Sequence, residues 1–181
     1  MQNGEIPERF DPRRMARESA EFHGVLPTGA MNRLASAVLS LGESAGINAR
    51  FSTQDNGRPL LEGEASVAVT LRCQRCLEPM TTTVQAPFRL AVVVSEADAE
   101  RLPEELDAVI VEGDSIETSA LVEDELILAL PLVGRHENMD DCGIERRHLE
   151  SSPAGVEHAV DSEEKDNPFA ALESLKRDRD D

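Results

Sequence analysis

Between Val67 and Val94 apolar and polar residues alternate with a period of two, and the alternation breaks once, at Cys73-Gln74-Arg75-Cys76. Val67, Val69, Leu71 and Cys73 share one side of the first run, and Val84, Ala86, Phe88, Leu90, Val92 and Val94 share one side of the second. A period of two sends alternate side chains to opposite faces of a strand. The two runs therefore predict a long antiparallel hairpin whose connection, Cys73 to Pro79, carries both cysteines. An earlier strand, about Ile47 to Gln54, ends at the turn residues Asp55-Asn56-Gly57. The expected fold class is α+β: an antiparallel sheet, meander or barrel-like, with a few helices and a flexible acidic C-terminal tail.

The helical signals lie on either side of this sheet. Pro12 to Phe22 predicts a short polar helix with proline at its first position. Met31, Leu34, Ala35, Val38 and Leu41 recur at helical spacing within Ala30 to Leu41, and Gly42 and Gly46 are expected to end that helix. Ser95 to Pro103 has no apolar stripe and reads as an exposed excursion, Asp107 to Glu112 as a returning strand, and Gly113-Asp114 as a turn. Glu117 to Leu130 reads as a packed helix that Pro131 stops.

Beyond Cys142 the composition changes. Residues 149–166 are polar and acidic and bury too little apolar surface to offset their ordering entropy. At 167–177 a helical pattern returns: Asn167 suits an N-cap, Pro168 the first helical position, and Phe169, Leu172 and Leu175 share a face. The expected organisation is one α+β domain over 1–148, an acidic disordered linker over 149–166, a short amphipathic helix over 167–177 and a disordered end over 178–181. Such a helix on a leash suits docking, onto its own domain or into a partner's groove.

The 181 residues carry 18 basic and 36 acidic side chains, a formal charge of −18. That excludes coating of nucleic acid by bulk electrostatics, which needs Lys and Arg to neutralise phosphates. An aromatic content of 3% weakens any reader of single-stranded RNA, which stacks bases on rings, and it leaves an aliphatic core. The charge is regional. Residues 1–94 balance, whereas 95–125 hold twelve acids against Arg101 alone. The longest nearly apolar stretch, Leu126 to Gly134, is about half of the ~20 residues a bilayer requires, and the N-terminus lacks the pattern of a signal peptide. A cytoplasmic chain with no membrane association is expected.

In a reducing compartment three cysteines are free thiols or metal ligands rather than a disulfide framework. Two sulfurs two residues apart on a turn aim at one point and suit zinc, with His136 and Cys142 completing a Cys3His set of candidate ligands: Cys73, Cys76, His136 and Cys142. The bland alternative is small buried thiols. A thiol redox site needs a helix N-terminus to lower a thiol pKa, and this pair sits between strands. Glu123, Asp124 and Glu125 read as a solvated face that can hold a basic partner, since no His, Ser or Lys constellation accompanies them for catalysis. No phosphate loop, His-Glu-x-x-His or nucleophile elbow occurs. No catalytic residue and no small-molecule substrate is expected. Arg9, Arg13, Arg14 and Arg17 form the one basic cluster, for which pairing of Arg14 with Glu18 and Arg17 with Glu21 competes with a phosphate contact.

Four segments in order resemble the YceD family, the large ribosomal RNA subunit accumulation proteins. They are Val69-Thr70-Leu71-Arg72-Cys73-Gln74-Arg75-Cys76, Leu121 to Leu132, His136 followed by Cys142, and Asn167-Pro168-Phe169-Ala170 with Leu175-Lys176. Gly134 stands near a position where the family often has proline, which is expected to loosen the loop carrying His136. The resemblance implies a role in the synthesis, processing or stability of 23S ribosomal RNA and in large-subunit assembly, and it implies no catalytic residue. A ribosomal protein or rRNA-processing factor is the expected partner. The candidate contacts are Arg75, Glu123, Asp124, Glu125, Pro168, Phe169, Leu172 and Leu175. Two other readings compete: a zinc module touching RNA directly through Arg75 and the basic cluster, and a thiol redox protein.

Overall fold

A computed structural model describes residues 6–111 and 113–142. The expected linker, terminal helix and C-terminal end, with Pro168, Phe169, Leu172 and Leu175, lie outside the described residues. In chain order the elements are β1 (Arg9–Phe10), α1 (Pro12–Arg17), β2 (Glu21–Pro27), a 3-10 turn (Thr28–Ala30), α2 (Asn32–Ala37) and β3 (Ser40–Thr53). They continue with β4 (Pro59–Arg72), β5 (Pro79–Val93), α3 (Glu96–Ala99), β6 (Asp107–Ile110), β7 (Ile116–Glu117), α4 (Thr118–Leu128) and a 3-10 turn (Asp140–Cys142). The main sheet runs β2-β3-β4-β5-β6, and β1 pairs with β7 separately.

The period of two becomes rows of side chains across the sheet. Register aligns Ala45, Val67 and Val84, then Ile47, Ala65 and Ala86, then Phe51, Leu61 and Leu90, and all nine are buried. The opposite face carries Arg50, Glu62 and Arg89 in one row, where Glu62 pairs with both arginines at 3.3 and 2.8 Å. α1 and α2 pack on β3, and α4 packs on β4, β5 and α2. The core is not wholly aliphatic. Phe10, Phe22 and Phe51 meet edge to face with centroids 5.0 to 5.6 Å apart, the favoured geometry for aromatic quadrupoles.

The hairpin is longer than its alternation suggests, with β4 reaching back to Pro59 and β5 beginning at Pro79. Three expectations need correction. The sheet does not close into a barrel, since β2 and β6 are its edges among the described residues, and β6 runs parallel to β5, which departs from an antiparallel sheet. A parallel return needs a connection of roughly a dozen residues. Residues 94–106 supply it, and they are not a bare excursion: α3 forms there, and Leu102 and Leu106 cover Leu60 and Ala91.

The first helix stops at Arg17, because Ser19 takes a left-handed conformation (φ 48°) and the chain turns into β2, which carries Phe22 to the aromatic trio. Asp11 caps that helix by accepting from the N–H groups of Arg13 and Arg14 at 2.9 and 3.1 Å. The second helix ends at Ala37. Beyond it the Leu39 N–H donates to Thr70 O at 2.8 Å, so Leu41, Gly42 and Gly46 belong to β3. Pairing with β4 overrides the local periodicity.

At Gly63 the neighbouring strand comes so close that a Cβ would drive into the Asn48 carbonyl oxygen and stand 2.7 Å from the Ala49 Cα. Backbone cannot move aside cheaply. Gly63→Ala is expected to lower stability by about 2 kcal/mol, the scale of overpacking, read as a fall in the urea midpoint with an unchanged slope.

Candidate metal centre

The turn between β4 and β5 is tied at its base and its tip. The Cys73 N–H donates to Glu78 O and the Leu77 N–H to Cys73 O, both at 2.9 Å. Leu77 takes a left-handed conformation (φ 67°) that L residues disfavour, and the turn accepts this strain to place Cys73 and Cys76 on one side. The Arg75 N–H donates to Cys73 Sγ at 3.4 Å.

The second half of the cluster comes from the loop after α4. Pro131 ends the helical run, and Gly134 brings the loop against the turn, its carbonyl accepting from the Gln74 N–H at 2.8 Å. That hydrogen bond fastens the segment that the missing proline was expected to loosen. The 3-10 turn Asp140–Cys142 then aims Cys142 inward.

Cys73, Cys76, His136 and Cys142 present ligand atoms that all lie within 4.8 Å of one another. Cys73 Sγ stands 4.0 Å from Cys142 Sγ, and His136 Nδ1 lies 3.5 Å from Cys76 Sγ and 3.6 Å from Cys142 Sγ. A tetrahedral zinc ion with Zn–S of about 2.3 Å and Zn–N of about 2.0 Å sets sulfurs roughly 3.8 Å apart and sulfur from nitrogen roughly 3.5 Å apart. The separations fit that ion and are too long for a disulfide, and the three cysteines are free thiols. A zinc ion held by all four would have no open position, which is the arrangement of a structural site rather than a catalytic one.

The sulfurs differ in their electrostatics. Burial raises the Cys73 pKa, yet the backbone N–H groups of Cys76, His136 and Arg75 and the Cys76 thiol outweigh it and bring it down to about 5. Cys142 shifts the other way, pushed up by burial and then by the Cys76 and Cys73 sulfurs.

The acidic triplet of α4 does not act as one surface. Glu123 is buried and turned inward: its carboxylate accepts from the N–H groups of Arg33 and Leu34 at 2.7 and 3.0 Å and from the Arg33 guanidinium at 2.7 and 2.9 Å. It thereby caps α2, whose own preceding residue, Met31, offers no capping side chain. Asp124 is exposed and also meets Arg33. Glu125 is half-buried, and burial followed by the charges of Asp107 and Asp124 raises its pKa. Arg33, 90 residues from Glu123, escaped the sequence reading because no local pattern announces so distant a pair. In the basic cluster, Arg14 pairs with Glu18 at 2.9 Å, Arg9 with Glu117 and Arg13 with Asp114. Glu21 lies in β2 and not on a helix with Arg17.

Residues 61–176 match the family model described as large ribosomal RNA subunit accumulation protein YceD. A curated relative of that name from Haemophilus influenzae is 32% identical over 181 residues, covering 98% of this chain and 99% of its own length. No solved structure matches.

Burial opposes ionisation of Glu123, and the Leu34 N–H, the Arg33 guanidinium and the Arg33 N–H outweigh it and lower its pKa. A depressed folded pKa adds stability above the ordinary carboxylate value that is lost as pH falls through the depressed one. Glu123→Ala, which strands two helix N–H groups, is expected to cost about 2 kcal/mol at pH 7. Urea titrations at pH 7 and in acid check this: Glu123→Gln should show a shallower acid loss than the wild type.

Proposed function

The chain belongs to the YceD family of large ribosomal RNA subunit accumulation proteins, and from that membership we propose that it supports the synthesis, processing or stability of 23S ribosomal RNA. It acts as a cytoplasmic, non-enzymatic factor in large-subunit assembly. It holds a basic ribosomal protein or processing factor, and Cys73, Cys76, His136 and Cys142 carry one structural zinc ion.

One observation carries the partner half of this reading. Half-buried Glu125 on α4 is disfavoured as an anion first by its burial and then by the charges of Asp107 of β6 and Asp124. Like charges gathered this way cost free energy in the isolated chain, and a bound cation-rich partner relieves that cost. Exposed Glu96, Glu100, Glu104 and Glu105 extend the negative potential beyond the cluster. Aliphatic anchors are near at hand in sequence: Leu132 is fully exposed and Leu128 is 80% exposed just past the acidic residues. Pro168, Phe169, Leu172 and Leu175 supply a further contact to the partner. Zinc in this scheme is architectural. It pins the loop of 131–142 to the hairpin, and the convergence of three sulfurs and an imidazole favours metal binding over thiol redox chemistry.

The test is genetic and biochemical together. In a strain lacking the gene the ratio of 23S to 16S ribosomal RNA falls, and the full-length chain restores it. Tagged protein retains a basic partner whose association weakens as salt rises, because the exposed charges are screened within about 10 Å at 0.1 M ionic strength. Asp124→Lys combined with Glu125→Lys should release that partner and restore the ratio poorly. An unchanged ratio in the deletion strain contradicts the role in rRNA accumulation, and a partner held equally at all salt concentrations contradicts the charge-steered contact.

A further inference from the structure

Arg75, whose sequence context suggested a contact to RNA, turns toward the sulfur cluster. Its side chain is half-buried, and its Nη1 stands 3.5 Å from Cys142 Sγ, across 67 residues of chain. The same residue's backbone N–H donates to Cys73 Sγ at 3.4 Å. Among the described residues its guanidinium forms no ion pair with a carboxylate, although Glu78, Glu137, Asp140 and Asp141 are all exposed on the segments that build the centre.

A divalent ion held by three thiolates and a neutral imidazole keeps one net negative charge. Burying that charge in a chain already at −18 is unfavourable unless a cation sits against it. We propose that Arg75 is the counter-charge of the metal centre, a positioning residue that holds the Cys142 thiolate for zinc and neutralises the loaded site. This inference rests on the zinc reading above. The guanidinium suits the role: it is more weakly hydrated than an ammonium, so it comes out of water at lower cost. Its contact also explains how Cys142 is held inward from a loop that shares no strand with the hairpin. A residue engaged in this way is not a free phosphate contact, so RNA affinity should not depend on it directly.

Competition titration of the full-length protein against a chromophoric zinc chelator tests the proposal. The proteins are the wild type, Arg75→Met, Arg75→Lys, and Gln74→Met, which changes the exposed neighbour on the same turn. Arg75→Met should bind zinc about 10- to 100-fold more weakly, the usual effect of removing a partner of a metal ligand. Arg75→Lys, which keeps the charge, should recover most of the affinity, and Gln74→Met should match the wild type. Circular dichroism of each zinc-loaded protein accompanies the titration. If Arg75→Met does not fold with zinc, Arg75→Gln replaces it. Wild-type affinity in either neutral variant overturns the proposal while leaving the zinc site standing, and so does an equal loss in Gln74→Met. A wild type that binds no zinc overturns the zinc reading itself.

Discussion

The antiparallel pairing of β4 with β5 is the constraint on which the other features depend. Its register runs from Leu60 opposite Ala91 to Arg72 opposite Pro79, and that last pair leaves Cys73 through Glu78 to close the ribbon. A slip of one residue would turn every inward side chain to the other face. The rows that contain Val67 and Val84 or Leu61 and Leu90 would then face water, and the closing turn would no longer direct two cysteines to one point. The core and the cluster of sulfurs and imidazole are thus two consequences of one register. Gly63 belongs to the same arrangement, because the close approach of β3 at that point leaves no room for a side chain.

Two long-range contacts then fix the helical segments to this ribbon. At one, Glu123 caps α2 from α4, so that a helix of six residues with no local cap is held in place by a carboxylate from another element. At the other, the loop leaving α4 is fastened to the turn by the Gly134 carbonyl and by the sulfur and imidazole groups of Cys142 and His136. α4 lies between the two. His136, Cys142 and the acidic positions Asp124 and Glu125 are therefore carried by one continuous stretch of chain. Within it Leu132 and Val133 are exposed.

Much of this was legible before any coordinates. Alternation over Val67 to Val94 specified the hairpin, Asp55-Asn56-Gly57 the preceding turn, and thiol chemistry with the spacing of Cys73 and Cys76 named the four residues that the structure brings together. What escaped was set by distant partners. Phe22 reads as the end of a polar helix until the aromatic trio with Phe10 and Phe51 draws it into a strand. Leu41 continues a helical stripe until Thr70 claims the backbone just before it. Glu123 looks like part of a solvated run because nothing near it in sequence names Arg33. Arg75 looks like a free cation for the same reason, since Cys142 is 67 residues away. The parallel placement of β6 depends on how residues 94–106 pack over Leu60 and Ala91, which no periodicity encodes.

The charge of −18 takes a different meaning once the pairs are placed. Some of the acids serve the fold, as Glu123, Glu62 and Asp124 do through their pairs with arginines, while Glu96, Glu100, Glu104 and Glu105 stay exposed. The claim beneath the whole account is that one metal ion joins the hairpin turn to the loop after α4. Zinc K-edge X-ray absorption on the full-length protein as purified tests it most directly. The account predicts one zinc per chain, with three sulfurs at about 2.3 Å and one nitrogen at about 2.0 Å. A protein without stoichiometric metal, or a zinc shell of oxygen and nitrogen alone, would contradict it.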